Sequence, residues 1–257
     1  MLTLDISNYG GELSPQIVAD WKAAGVQKVV VGIDLHAANI TLARRQLAAA
    51  RDGGMRLGAY REAYWRADVQ TSMQLVAGAL AGFNIEDVGL AFEDGDAPLV
   101  GYSTQELVCA WIQHNLDIAE RIWGREHTCL YTAAWWWNPY TSSTHHFSDH
   151  KLWVADYNGI PDGTFAPFGG WTQCFRHQFR GSVDFCHYKV DVNFEEDDMA
   201  DTEARQRLHD LEQWRAMAQA VLDQQKESID ALVTGNLWQQ GVLDDQEKRL
   251  EALEDKK

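Results

Sequence analysis

The chain has 257 residues, of which 46% are apolar and 23% charged, and it carries a formal net charge of −16. This length accommodates one large domain with an appendage. The acidic excess repels phosphate backbones and so argues against nucleic acid as a partner, and no apolar run is long enough for membrane insertion.

In chain order, LTLDI alternates as a short strand. SPQIVADWKAAG has helical spacing, with Ser14 as N-cap, Pro15 at the first helical position and Gly25 as the stop. KVVVGID is a continuous apolar run, the pattern of a strand buried on both faces. NITLARRQLAAARDGG is helical and ends in glycine. MRLGAYREAY, VGLAFED, HTCLYTA and HKLWVADY read as the next four strands. ADVQTSMQLVAGALAG and TQELVCAWIQHNLDIAERIWG are helices between them. From Trp171 the pattern changes to GWTQCFRHQF and CHYKVDVNF, two strands with no long helix between them.

Strand–helix alternation at this spacing signals parallel βα units, and six or more favour a closed, TIM-like (β/α) barrel in the α/β class. An open doubly wound sheet is the competing architecture. Against it, Asn8-Tyr9-Gly10-Gly11 after the first strand is not the glycine-rich loop of a dinucleotide fold.

The barrel is assigned to residues 1–194, with net charge −7, and residues 195–257 to an acidic tail of net charge −9. In the tail an imperfect heptad places Leu208, Leu222, Ile229, Leu243 and Leu250 on one seam, interrupted by Arg215 and Asn236. That pattern suits a coiled-coil-like helix joining copies into a homo-oligomer, or a helical hairpin folded back on the barrel. The four cysteines, Cys109, Cys129, Cys174 and Cys186, form no CxxC pair and read as buried free thiols, with a Cys174–Cys186 bridge as the alternative.

In a barrel, groups at the C-terminal ends of the strands face the active-site mouth. Asp5, Asp34, Glu93, Asp94, Asp96 and Asp156 fall at or near such ends, and Asp191 lies on the last strand. Any one of them can be a helix cap or a solvated loop charge. Several converging on one mouth would repel one another, so that one keeps its proton near neutral pH. A protonated acid beside an ionised one is what glycosidic cleavage requires. Aromatic residues follow the same strands: Tyr60 and Tyr64, then Tyr131, Trp135, Trp136, Trp137 and Tyr140, then Trp153 and Tyr157. Flat rings stack on sugar C–H faces, and alternation along an extended segment would turn at least one of Trp135–Trp137 into the core. The His145-His146…His150 group lacks metal-ligand spacing, and no GxSxG elbow is present, so neither a metal, a cofactor nor a nucleophilic serine is expected.

These pieces resemble the family 25 glycoside hydrolases, muramidases that cut bacterial cell-wall glycan. The resemblance runs over residues 2–194. It rests on Asp5-Ile6-Ser7-Asn8-Tyr9, on Trp21-Lys22-Ala23-Ala24-Gly25 leading into Val29-Val30-Val31, and on Gly58-Ala59-Tyr60. Further along it rests on Leu130-Tyr131-Thr132 with Trp135–Trp137, on Leu152-Trp153-Val154-Ala155-Asp156-Tyr157, and on Val190-Asp191-Val192-Asn193. It implies a lysozyme-like barrel with Glu93 as general acid and Asp5 and Asp191 lining the catalytic pocket. Tyr60, Tyr64, Tyr131, Trp135, Trp153, Asp156 and Gln178 would contact the glycan. One departure stands out: the family's fourth strand ends in Asp-x-Glu, whereas this chain has Ala91-Phe92-Glu93. The resemblance assigns that aspartate to stabilising positive charge at the sugar ring or its acetamido group. Its replacement by alanine leaves three expectations: a weak muramidase, a cell-wall glycan-binding module without turnover, or a scaffold. The opening residues MLTLDIS lack the basic and apolar regions of a secretory signal. The expected setting is therefore synthesis in the cytoplasm, with action in a virion, on a phage or surface fibre, or as an endolysin released by lysis.

Overall fold

The structure, a computed structural model, describes residues 1–65, 67–93 and 104–195. Among these residues eight strands close into a barrel in chain order: β1 (Leu2–Ile6), β2 (Val26–Gly32), β3 (Arg56–Glu62), β4 (Ile85–Ala91), β5 (Thr128–Thr132), β6 (Lys151–Ala155), β7 (Arg176–Phe185) and β8 (Tyr188–Glu195). Five helices accompany them: α1 (Pro15–Ala23), α2 (Ala37–Asp52), α3 (Val69–Leu80), α4 (Gln105–Trp123) and α5 (Ala134–Thr141). The expected barrel is therefore present, and the open sheet is not.

Local chemistry sets the element ends. The Ser14 hydroxyl accepts from the Ile17 backbone N–H at 3.2 Å, with Pro15 in the first turn, and Gly25 leaves α1 at φ +87°. Asp68 and Thr104 cap α3 and α4 in the same way. Asp34 accepts from the His36 N–H and the Asn39 amide ahead of α2, so it serves as a local turn group.

Strands β1 to β7 run parallel, while β8 runs antiparallel to both β7 and β1. The reason is visible in the connection. Cys186 and His187 join β7 to β8 with φ of +51° and +65°, which is two-residue hairpin geometry. A parallel crossover would need a dozen or more residues.

The central parallel strands are buried on two faces. The outer row, including Leu90, Leu130, Leu152 and Val154, packs against Met73, Ile112, Leu116, Trp136 and Trp137 of the helices. The inner row, including Val30, Ala91, Cys129, Tyr131, Trp153 and Ala155, fills the barrel. Two glycines make room for the large inner rings: a Cβ at Gly32 would lie 2.7 Å from Tyr60, and one at Gly89 2.9 Å from Trp153.

Beneath those rings lies a layer of charge. Arg176 bonds Asp87 at 2.8 Å and Glu195 at 2.6 Å, and Lys28 bonds Asp87 and, at 3.0 Å, Glu195. All four residues are at most 2% exposed. The layer is neutral, with two cations against two carboxylates, which is the condition under which burial of charge is tolerable.

Two sequence-based boundaries change. Trp135–Trp137 lie on helix α5 rather than on an extended segment, so successive rings turn by about 100°. Trp136 and Trp137 enter the core while Trp135 stays 54% exposed. Glu195, assigned to the tail, ends β8 and belongs to the charged layer. The heptad, the tail helix and its role in oligomers fall in residues 196–257, outside the described residues, as do Asp94 and Asp96. All four cysteines are free thiols, and burial pushes that of Cys129 up to about 12.

Candidate active site

The C-terminal ends of the parallel strands gather the chemistry. On β4 the inner row runs Asp87, Gly89, Ala91, since Asp87 bonds Arg176 inside the barrel and Ala91 packs with Trp153 and Tyr131. Two residues on, Glu93 falls on the same row at the mouth. Burial holds both the Tyr60 and the Tyr131 phenol well above their usual range, helped for Tyr60 by the charges of Asp5, Asp191 and Glu93 and for Tyr131 by that of Glu93.

Asp5 and Asp191 face each other across the β1–β8 ladder. Gln178 binds both, its amide donating 3.1 Å bonds to Oδ2 of Asp5 and to Oδ2 of Asp191. Asn193 donates a 2.7 Å bond to Asp5 Oδ2, and the Ser182 N–H donates to Asp191 at 2.5 Å. Burial, followed by the Asp191 charge, lifts the Asp5 carboxyl to about 7 against the pull of its amide donors. Burial raises Asp191 as well, opposed by the Ser182 N–H. The pair thus resists double ionisation near neutrality.

The aromatic candidates divide. Tyr131 is buried and donates a 2.8 Å bond to Gln178 Oε1, which Tyr157 also reaches at 3.1 Å. Tyr60 lines the same wall, edge-on to Trp153 at 5.8 Å. Tyr64, half-buried after β3, donates to Glu62 at 3.0 Å. Trp135, at the start of the helix that follows β5, keeps an exposed ring.

Trp153 needs correction. It is 1% exposed, so its face is closed to a sugar. Its indole N–H donates a 2.7 Å bond to Asn193, and the Arg176 guanidinium lies 4.6 Å from its ring centroid. It is the floor of the pocket, tying the charged layer to the Asn193–Asp5 bond. Asp156 also departs from expectation: Trp153 and Ala155 occupy the inner row, so Asp156 falls on the other register. Its backbone N–H donates to the Gln178 carbonyl, and its own carbonyl meets the His177 ring.

Asn193 was part of a motif without a role, and Tyr157 was noted only as an aromatic beside β6. Strand alternation from Asp191 would have placed Asn193 inside. His146 meets Gln113, and His150 meets Glu120 and Asp149, so the histidine cluster is spent on separate pairings. Among the described residues no group of three or more His, Cys, Asp or Glu is placed to hold a metal ion.

Two consequences can be measured. Because the folded-state value of Asp5 lies above its unfolded one, the stability linked to its proton is complete below about pH 4 and is lost as pH rises through 7. Asp5→Asn therefore gains on the native chain between pH 4.5 and pH 8, by at most about 4 kcal/mol for a three-unit shift. Urea unfolding at the two pH values reads the gain, and a difference independent of pH contradicts it. If Trp135 stacks on sugar, chitooligosaccharide quenches tryptophan fluorescence, and Trp135→Ala weakens affinity about tenfold. An unchanged titration removes Trp135 from the platform.

Comparison with known proteins converges on one family. The model of the glycosyl hydrolases family 25 matches residues 4–187. Probable GH family 25 lysozyme 5 of Dictyostelium discoideum is 32% identical over 85 residues, which make up 33% of this chain and 39% of that protein. Lysozyme 2 of the same organism is 33% identical over 69 residues, 26% of this chain and 32% of its own length. The chain thus spans well under half the length of these curated relatives. Among solved structures, a family GH25 lysozyme from Aspergillus fumigatus superposes with a TM-score of 0.62 at 20% identity, covering 80% of this chain and 97% of that one. A muramidase from Trichobolus zukalii gives 0.61 at 18% identity, covering 77% and 95%. At these identities the likeness is one of fold.

Proposed function

The chain belongs to glycosyl hydrolase family 25, and from that membership we propose that it hydrolyses glycosidic bonds between the N-acetylated sugars of bacterial peptidoglycan, as a lysozyme-like muramidase. The observation that carries this reading is the Asp5–Asp191 pair, bridged by Gln178 inside the barrel, with Glu93 following the C-terminal end of β4. Glu93 gives its proton to the leaving glycosidic oxygen as the bond to the anomeric carbon breaks. Asp5 and Asp191, sharing a proton, set negative charge against the oxocarbenium-like centre. Water then bonds to that carbon and returns a proton to Glu93. Gln178 and Asn193 fix the pair, and Tyr131 and Tyr157 fix Gln178.

A second reading, binding of cell-wall glycan without turnover, draws on Ala91, which leaves β4 with a methyl group where the family resemblance implies a carboxylate. Release of new reducing ends from purified peptidoglycan separates the two. Release by the native protein supports hydrolysis. No release by the native protein, but release by Ala91→Asp, supports the binding module.

A further inference from the structure

We propose that Glu62, on β3, supplies to the bound sugar the carboxylate that β4 lacks at Ala91. The inference rests on the hydrolase reading and names a further substrate-contacting group in the same site. In the β3–β4 ladder Glu62 is the register partner of Ala91, and the ladder continues one residue further with the Ala63 N–H donating to the Ala91 carbonyl at 2.8 Å. Register partners on adjacent strands put their side chains on the same face, with backbones about 4.8 Å apart. Ala91 faces the barrel interior, so Glu62 does too. Its own strand agrees, because Tyr60 lies on the inner wall while Arg61, between them, is buried on the opposite row.

The side chain is also held. The Tyr64 hydroxyl donates a 3.0 Å bond to Glu62 Oε2. No hydrogen bond is made to Oε1 from the described residues, and the residue is only partly buried. One oxygen is thus fixed and the other available to a donor entering the mouth. The Tyr60 phenol is held well above its usual range by burial, then by Asp5, Asp191 and Glu93, with Glu62 the last contributor, which accords with a Glu62 side chain turned to the same side as Tyr60. A glutamate is one methylene longer than an aspartate, which lets a carboxylate rooted on β3 extend toward the place above Ala91. The donor it suits is the acetamido N–H of an N-acetylated sugar. A carboxylate bonded there orients that group and opposes the positive charge that develops at the neighbouring anomeric carbon.

The test compares the native chain, Glu62→Gln, Ala91→Asp, the double variant Glu62→Gln/Ala91→Asp, and Glu93→Gln. Reducing-end release from purified peptidoglycan gives kcat and KM, and the thermal midpoint checks the fold. Glutamine still accepts the Tyr64 bond, so Glu62→Gln keeps its midpoint while kcat falls about a hundredfold. In that background Ala91→Asp restores at least a tenth of the native rate. Undiminished turnover in Glu62→Gln, or a folded double variant without rescue, overturns the assignment. If Glu93→Gln is inactive while Glu62→Gln is not, the hydrolase reading stands and only Glu62 falls. If the native protein releases no sugar, the hydrolase reading fails, and Glu62 is decided by fluorescence titration with chitooligosaccharide and cello-oligosaccharide. The assignment then requires Glu62→Gln to lose affinity for the acetylated ligand alone, and equal affinities overturn it.

Discussion

Glu93→Gln is expected to lower reducing-end release from peptidoglycan by about three orders of magnitude, within the range for loss of a general acid. Glutamine has the same shape and can still hydrogen-bond the glycosidic oxygen, but it has no proton to give as the bond breaks. The effect should fall on kcat, because ground-state contacts with the sugar survive. Stability should hardly move. Glu93 lies two residues beyond β4 and is partly exposed, and substitutions at such positions usually stay within about 0.5 kcal/mol. A lost rate with an unchanged thermal midpoint therefore identifies chemistry rather than unfolding. A variant retaining a tenth of native activity would show that another group delivers the proton, and the assignment of Glu93 would fail.

How far the sequence announced this arrangement depends on the range over which each feature is encoded. Apart from α5, the elements up to β6 were legible because each is a local pattern: a capped helix such as Ser14–Ala23, or a strand buried on both faces such as Val26–Gly32. The places of Asp5 and Glu93 were legible because the C-terminal end of a parallel barrel strand points at the mouth, whereas Asp191, inside the antiparallel β8, was singled out by the family resemblance. The fate of the tryptophans was less so. Three in a row suggest an extended segment, but α5 begins at Ala134, and helical turning rather than alternation decides that Trp136 and Trp137 are buried. Trp153 looked like a sugar platform because its chemistry suits one. Only barrel closure shows that it is roofed by Tyr60 and Tyr131 and floored by Arg176. Glu62 went unnoticed for a related reason. Its meaning comes from its register against Ala91, which strand pairing supplies and chain order does not.

The charged layer shows the same dependence on closure, and it carries the largest expected effect on stability. Asp87→Ala should cost about 3–5 kcal/mol of unfolding free energy, the range for breaking a buried ion pair by removing one partner. Lys28 and Arg176 would then share Glu195, with Glu86 of Lys28 at the edge. Within the buried layer two cations would then face one carboxylate, with the 30% exposed Glu86 as the remaining partner of Lys28. By contrast, the Arg45–Glu12 pair has a comparable 2.7 Å contact but is 58% and 61% exposed. Solvent screening there limits the loss from Glu12→Ala to under about 1 kcal/mol. Asp87 holds two buried cations where Glu12 holds one exposed cation, so both desolvation and the second partner separate the two losses. Equilibrium urea unfolding with linear extrapolation measures both variants. Comparable small losses would contradict a sealed layer. Removing charge in balance, with Lys28→Met added to Asp87→Leu, should recover part of the stability, because a neutral apolar pair leaves no unpaired ion. The consequence reaches the site. Arg176 supports Trp153, Trp153 holds Asn193, and Asn193 holds Asp5. Asp87→Ala should therefore also loosen the Asp5–Asp191 pair and reduce turnover in the fraction that remains folded. The barrel floor thus does two tasks with one set of ions: it closes the core, and through Trp153 and Asn193 it positions Asp5.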